Sequence, residues 1–398
     1  MKYLKSIYIK LIILLMFLSC ITPVELETIT YEDYLVVEAT ITNELKNHTV
    51  KLSRTFALDT NENNPETRAQ VTVTDNLNNT YTFNESALGT YISSSAFKAN
   101  ATNEYRLNII TKNGNSYSSS VQKLTAPAQI ESLNTLVETS TEGDEGVSII
   151  VNSYNPNNNS NYYRYVYEET YKISPPFWSD EELKIVSDTR PFEVEVVERT
   201  IDNEHCYKTL FSTDIVLTET KTLAEDRVSI PVRFILASDF KISNRYSILV
   251  KQYVQSFEAY NYYKTLKKLS SSENVFNQAQ PGFIVGNINS DTNKDEKVIG
   301  FFDVSAVSEK RLFFNFRDIF PNKTSEYPFD CDFSAPIIYD SFTQQSPLVD
   351  LIKSNTHVYY AENDTSLDYL EGNYLMVPKV CGDCTELGSN IKPDFWVD

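Results

Sequence analysis

Residues 34–42 read YLVVEATIT. Leu35, Val37, Ala39 and Ile41 point one way and Tyr34, Val36, Glu38 and Thr40 the other, the period-two pattern of a strand buried on one face. The same signal repeats at 49–53, 69–74, 81–83, 90–93, 105–111 and 116–121, with Asn- and Asp-rich turns such as DNLNN and TKNGN between them. Seven short strands at this spacing predict an immunoglobulin-like β-sandwich over residues 34–126, ending at Thr125-Ala126-Pro127.

Working outward, a second β-rich region is expected over 127–320. Residues 162–171 are aromatic and alternate. In 227–236, Val228, Ile230, Val232, Phe234 and Leu236 share one face, and Pro231 on the other predicts an edge strand or a bulge. Further strands are expected at 245–253, 283–288, 298–304 and 311–316. One helix is predicted near 257–269. Ser256 stands at its N-cap, Glu258 in its first turn, and Ala259, Tyr262, Tyr263, Leu266 and Leu269 at helical spacing, with its tyrosines serving to pack it. Past Pro321 the regularity fades, and residues 321–398 read as a loop-rich, cysteine-containing extension packed on the second region. The fold class expected is mainly all-β, with two sandwich-like parts.

Upstream of the first strand, Lys2, Lys5 and Lys10 precede the apolar run LIILLMFL (11–18) and then Ser19-Cys20. That run is too short to span a bilayer. The layout predicts a lipoprotein signal over 1–19, an acylated Cys20 as mature N-terminus, and a tether over 20–33. The formal charge is −19, and loss of the three signal lysines takes it to −22. Such acidity excludes nucleic acid and anionic lipid as partners of a basic patch and leaves the acyl chains as the anchor.

Four cysteines remain: Cys206, Cys331, Cys381 and Cys384. An even number in an exported chain predicts two disulfides in one of three pairings. The alternative is a zinc site built from His205-Cys206 with Cys381 and Cys384, but such sites usually show two close ligand pairs within one small unit. Asp291, Asn293 and Asp295 match the first ligands of a calcium loop. Glu296 stands where glycine should turn the chain and Phe302 where the bidentate glutamate belongs, so a polar hairpin turn fits better. The histidines are His48, His205 and His357, and no nucleophile-elbow, zincin or P-loop pattern occurs. No catalytic residue, cofactor or resident metal is expected, and the chain reads as a non-enzyme.

Several stretches taken together carry a resemblance: LVVEATITNELKNHTVKLSRT, AQVTVTDNLNNTYTF, NRYSILVKQYVQSFEAYNYYKTL, PGFIVGNI, VIGFFDVSAVSEKR and CGDCTELGSNIKPDFW. In order and coverage the chain resembles the DUF4249 family of Bacteroidetes outer-membrane lipoproteins. That resemblance implies an N-terminal immunoglobulin-like part and a place at the outer membrane, facing the cell surface. Glu25 and Glu27 are the acidic residues closest to Cys20. It also implies a TonB-dependent receptor as neighbour and partner. The function expected is an accessory or binding partner of such a receptor in uptake or envelope assembly. The alternatives are a free-standing glycan- or protein-binding adhesin and a hydrolase whose site escapes motif reading.

Overall fold

The computed structural model describes residues 33–55, 64–270, 284–364 and 371–398; Cys20 lies outside them. Among the described residues the fold is mainly β. The first part contains β1 (Leu35–Thr42), β2 (Thr49–Arg54), β3 (Gln70–Asp75), β4 (Thr80–Ala87), β5 (Thr90–Ser93), β6 (Glu104–Ile110), β7 (Ser116–Ser119) and β8 (Gln122–Lys123). The alternation expected of β1 holds, with Leu35, Val37, Ala39 and Ile41 buried. They join Val50, Leu52, Val71, Val73, Tyr105, Leu107 and Ile109 in one core. Each of the buried valines, leucines and isoleucines contributes about 1.5–3 kcal/mol by leaving water.

The second part contains β9 (Ile130–Thr139), β10 (Glu145–Asn155), β11 (Tyr162–Ile173), β12 (Glu181–Ser187), β13 (Glu193–Glu198), β14 (Cys206–Phe211), β15 (Val216–Glu219), β16 (Asp226–Leu236), β17 (Arg245–Val254), β18 (Ile288–Ser290) and β19 (Val298–Asn315). It is a sandwich. The sheet β16-β10-β9 packs against β11, β17 and the far half of β19. Pro231 falls on the edge strand and beside a bulge, because β16 pairs only with β10 and their register slips at Ile149/Ile150. The slip moves the buried face along β16. Val228 and Val232 are buried as expected, but past the bulge Ile235 turns inward and Leu236 outward.

The expected strands at 298–304 and 311–316 are one strand. Val298–Ser305 runs parallel to β1, and Ala306–Asn315 runs antiparallel to β17. At the rise of a strand it spans roughly 60 Å. The polar stretch SAVSEK between them does not interrupt it, because its serines are used inside. Ser308 Oγ accepts from Ile130 N at 3.0 Å and donates to Gln129 Oε1 at 3.2 Å. Through β19 the two parts share a single fourteen-stranded sheet among the described residues. Ile288, Val298, Phe302 and Val304, expected in the second region, therefore belong to the first core.

The seam that completes that core is glycine against glycine. Asn287 holds Phe302 with both ends of its amide: Oδ1 accepts from Phe302 N at 2.8 Å and Nδ2 donates to Phe302 O at 2.9 Å. Beside it, a Cβ on Gly286 would lie 1.6 Å from the Gly300 oxygen. A Cβ on Gly300, whose φ is +149°, would lie 2.3 Å from the Val37 oxygen.

The C-terminal extension holds more regular structure than expected. It contains the helix Pro347–Ser354, β20 (His357–Glu362) and β21 (Tyr374–Pro378). The helix follows ordinary end rules: Ser346 Oγ accepts from Val349 N, Pro347 opens the first turn, and Asn355 closes the last at φ 53°. Its core, Leu348, Tyr359 and Met376, is completed by Leu183 of the distant hairpin β12–β13. The last residues fold back on the second part, where Trp396 is buried against Tyr207 and Phe313.

Two disulfides form, Cys206–Cys384 and Cys331–Cys381. The sequence left the pairing open; the chain path decides it. Cys206–Cys384 attaches the extension to the second sandwich, and Cys331–Cys381 closes a loop within the extension. Alkylation and mass measurement of the unreduced protein should count no free thiol among these four. Removing either bridge by paired Cys→Ala substitution should lower stability by about 2–4 kcal/mol in urea, with the bridge of separation 178 at the upper end. Four alkylated cysteines would contradict this pairing.

Candidate binding cleft

The helix Phe257–Ser270 lies where the two parts meet. Ser256 caps it as expected, with Oγ accepting from Ala259 N at 3.1 Å. Ala259 and Tyr262 pack on Phe301 of β19, with Tyr263 and Leu266 beside them. The helix thus covers part of the outer face of the sheet, the face that β1 turns away from its core.

The uncovered remainder of that face is a cleft of about 770 Å³. Its floor is Val36, Glu38 and Thr40 of β1 with Thr49 and Lys51 of β2. Tyr262, Tyr263 and Leu266 form one wall. Lys46, Asn47 and His48 form the rim, and Arg164 enters from β11. Its volume falls within the range of about 300–1,000 Å³ found for small-molecule pockets, and its apolar wall stands beside a few charged groups.

Arg164 is held in an unusual way. Its guanidinium carbon lies 4.5 Å from the centre of the Tyr253 ring and 4.4 Å from that of Tyr263. Two ring faces so placed fix a planar cation. Its Nε is buried and has no hydrogen-bond partner. Behind it, Asp303 is buried, and its Oδ2 accepts from Gln255 Nε2 and Ser305 Oγ, each at 2.6 Å. Burial pushes the Asp303 carboxyl above the usual carboxylate range, against the opposing pull of Arg164 and these bonds. Burial likewise raises the Tyr263 hydroxyl.

At the rim, burial acts to raise the Glu44 carboxyl, but the bond and charge of Lys46 hold it below its ordinary value. His48 is 1 % exposed, and its Nε2 stands 3.0 Å from the Phe97 carbonyl oxygen. Burial pushes its pKa down to about 4. At neutral pH the ring is therefore uncharged and donates to that carbonyl, so it braces the rim.

The other residues singled out in the sequence lie elsewhere. His205 meets Ser174 Oγ at 3.0 Å through Nδ1, and its neighbour Cys206 is in a disulfide, so the zinc alternative loses its ligands. His357 Nδ1 meets Thr356 Oγ1 at 3.0 Å. Asp291 accepts from Ser116 Oγ and Ser118 Oγ, Asn293 Oδ1 accepts from Asp295 N, and Glu296 accepts from Tyr117 OH. The calcium candidates thus lie in the turn between β18 and β19, which is a connection and not a β-hairpin, and Asp291 and Glu296 tie it to β7. Among the described residues, no group of three or more His, Cys, Asp or Glu side chains converges to hold a metal. The sequence reading missed Arg164 as a cleft residue. The available signal was a lone arginine in the tyrosine-rich run YYRYVYEETY.

A profile of the family described as "Domain of unknown function (DUF4249)" matches residues 21–311. The chain belongs to the DUF4249 family. The matched span takes in the first sandwich, β11, the helix beside the cleft and most of β19, so each wall of the cleft falls within it. No curated protein matches the chain. Among the described residues no helix is long and apolar enough to cross a membrane.

Proposed function

We propose that this DUF4249 protein is a non-catalytic lipoprotein, anchored through Cys20 at the cell-surface side of the outer membrane. There it acts as accessory or binding partner of a TonB-dependent receptor in uptake or envelope assembly. The observation that carries the binding role is the cleft itself: an apolar wall and an arginine stacked on two tyrosines, set on a sheet that β19 makes continuous. Its single histidine is engaged in bracing the rim. The anchor and the partner rest on the signal-like N-terminus and on the family resemblance.

The anchor and the cleft sit close together along the chain. The cleft floor begins at Val36, sixteen residues after Cys20. At ~3.5 Å per residue the link reaches at most about 55 Å. Tethering confines protein and receptor to one surface and raises their effective concentration, so a modest interface suffices.

The test is affinity purification from gently solubilised membranes. Wild-type protein should carry an acyl label and bring down a β-barrel receptor in stoichiometric amount. Cys20→Ser should lose the label and leave the membrane fraction or remain unprocessed. Recovery of the protein alone, from cells expressing the neighbouring receptor, would favour the adhesin reading. A wild-type protein without acyl label would remove the anchor.

A further inference from the structure

We propose that the cleft binds the carboxylate of a ligand that has an apolar or aromatic body, and that Arg164 is the fork that receives it. This deepens the binding reading of the cleft and does not depend on the receptor partnership.

The first argument is the state of Arg164. A guanidinium carries five N–H donors and is always charged. Buried donors are satisfied in nearly all proteins, so an orphan calls for a reason. Here the cation lies over the rings of both Tyr253 and Tyr263, and ring faces accept no in-plane bond from it. Nε is buried beyond a ligand's reach, so the terminal nitrogens, which make no hydrogen bond among the described residues, remain for a partner, and the side chain lines the cleft. The nearby acid does not serve. Asp303 commits its Oδ2 to Gln255 and Ser305, and no hydrogen bond or salt bridge joins it to Arg164 among the described residues. A planar acceptor with two oxygens matches a planar fork, and charge-assisted bidentate pairs are the strong ones.

The second argument is the rest of the lining. Lys51 enters the floor with no ion pair among the described residues, whereas Lys46 is engaged by Glu44. Glu38 is the carboxylate on the floor, so the lining cations outnumber it. In a chain of net charge −19 the general field repels anions. An anion is held here only by directed bonds, which favours one that meets the fork over any diffuse polyanion. Tyr262, Leu266 and Phe301 supply the apolar wall for the remainder of the ligand. A cleft of about 770 Å³ has room for a body of a few amino-acid residues.

The carboxylate has two possible sources with one chemistry, a free small acid or the C-terminus of a peptide. Isothermal titration of the full chain in mild detergent separates them. The probes are N-acetylphenylalanine, its primary amide, and a hexapeptide ending in phenylalanine as free acid and as amide. Saturable binding of an acid is expected, with the matching amide weaker by about tenfold or more. Binding of the small acid alone identifies a small-molecule source; tighter binding of the hexapeptide acid identifies a peptide end.

Arg164→Gln should abolish the preference for acid over amide. Arg164→Lys, which keeps the charge and loses the fork, should retain only part of it. Leu266→Trp, on the half-buried helix face, should block acid and amide alike while leaving the fork in place. Thermal melting checks that each variant is folded. Equal affinity for acid and amide, unchanged preference in a folded Arg164→Gln, or no saturable binding of either acid overturns the assignment.

Discussion

Gly286→Ala should prevent the protein from folding or cost more than about 4 kcal/mol, beyond the usual range for one substitution. The added methyl would overlap the carbonyl oxygen of Gly300, 1.6 Å from the ideal Cβ position, and the atoms it meets are backbone. No rotamer relieves such a clash. The strand must move, and with it Asn287, whose amide holds Phe302 on both sides. Gly300→Ala should behave alike, because its methyl would meet the Val37 oxygen at 2.3 Å and its φ of +149° disfavours a side chain. Urea denaturation followed by tryptophan emission and far-ultraviolet circular dichroism measures both. A Gly286→Ala protein with the wild-type midpoint would show that the seam does not close the first core. A milder control is Gly114→Ala: nothing lies within 4 Å of its Cβ, so only the strain at φ +85° remains.

Glu169→Ala should cost about 3–5 kcal/mol, the range for breaking a buried pair by removing one partner. Glu169 lies on β11, 4 % exposed, and receives Arg233 from β16 in the facing sheet at 3.1 and 3.3 Å. It also accepts from Tyr246 OH at 2.7 Å. Burial and the carboxylate together push the Tyr246 hydroxyl well above its ordinary value. Burial works against the charge of Arg233, but Glu169 outweighs it and holds the guanidinium pKa above its usual value. Truncation therefore leaves a half-buried cation and a buried hydroxyl without their acceptor. The replacement that removes both charges, Glu169→Leu with Arg233→Met, should recover much of the loss, since no buried charge is then stranded. The midpoints in urea of wild type, both singles and the double complete the cycle. A Glu169→Ala loss under about 1 kcal/mol would mean that the bridge is solvated.

Much of the local structure was legible because local patterns carry it. The alternation of 34–42 predicts which residues of β1 are buried, and Ser256 with the spacing of Ala259, Tyr262 and Leu266 predicts the helix. Pro231 announces the bulge, but a single-residue slip decides which side chains follow it inward, and the slip depends on what β10 offers opposite. The hairpin β12–β13 and the helix Pro347–Ser354 had usable signals in their alternation and end caps. Their shared core was hidden by the distance between Leu183 and Leu348 along the chain.

The amino-acid order by itself determined the β class, the strand positions in the first part, the helix, and the supply of four cysteines for two bridges. These follow from periods of two and 3.6 and from end chemistry, which act within a few residues. Only the tertiary structure decided that β19 serves both sandwiches, that Cys206 meets Cys384, and that Gly286 rests on Gly300. It also decided that Arg164 of β11 and Tyr263 of the helix face the floor laid by β1. Those meetings join residues from fourteen to more than two hundred positions apart. Their partners are selected by burial, steric fit and backbone pairing across strands, and none of these leaves a periodic trace in the chain.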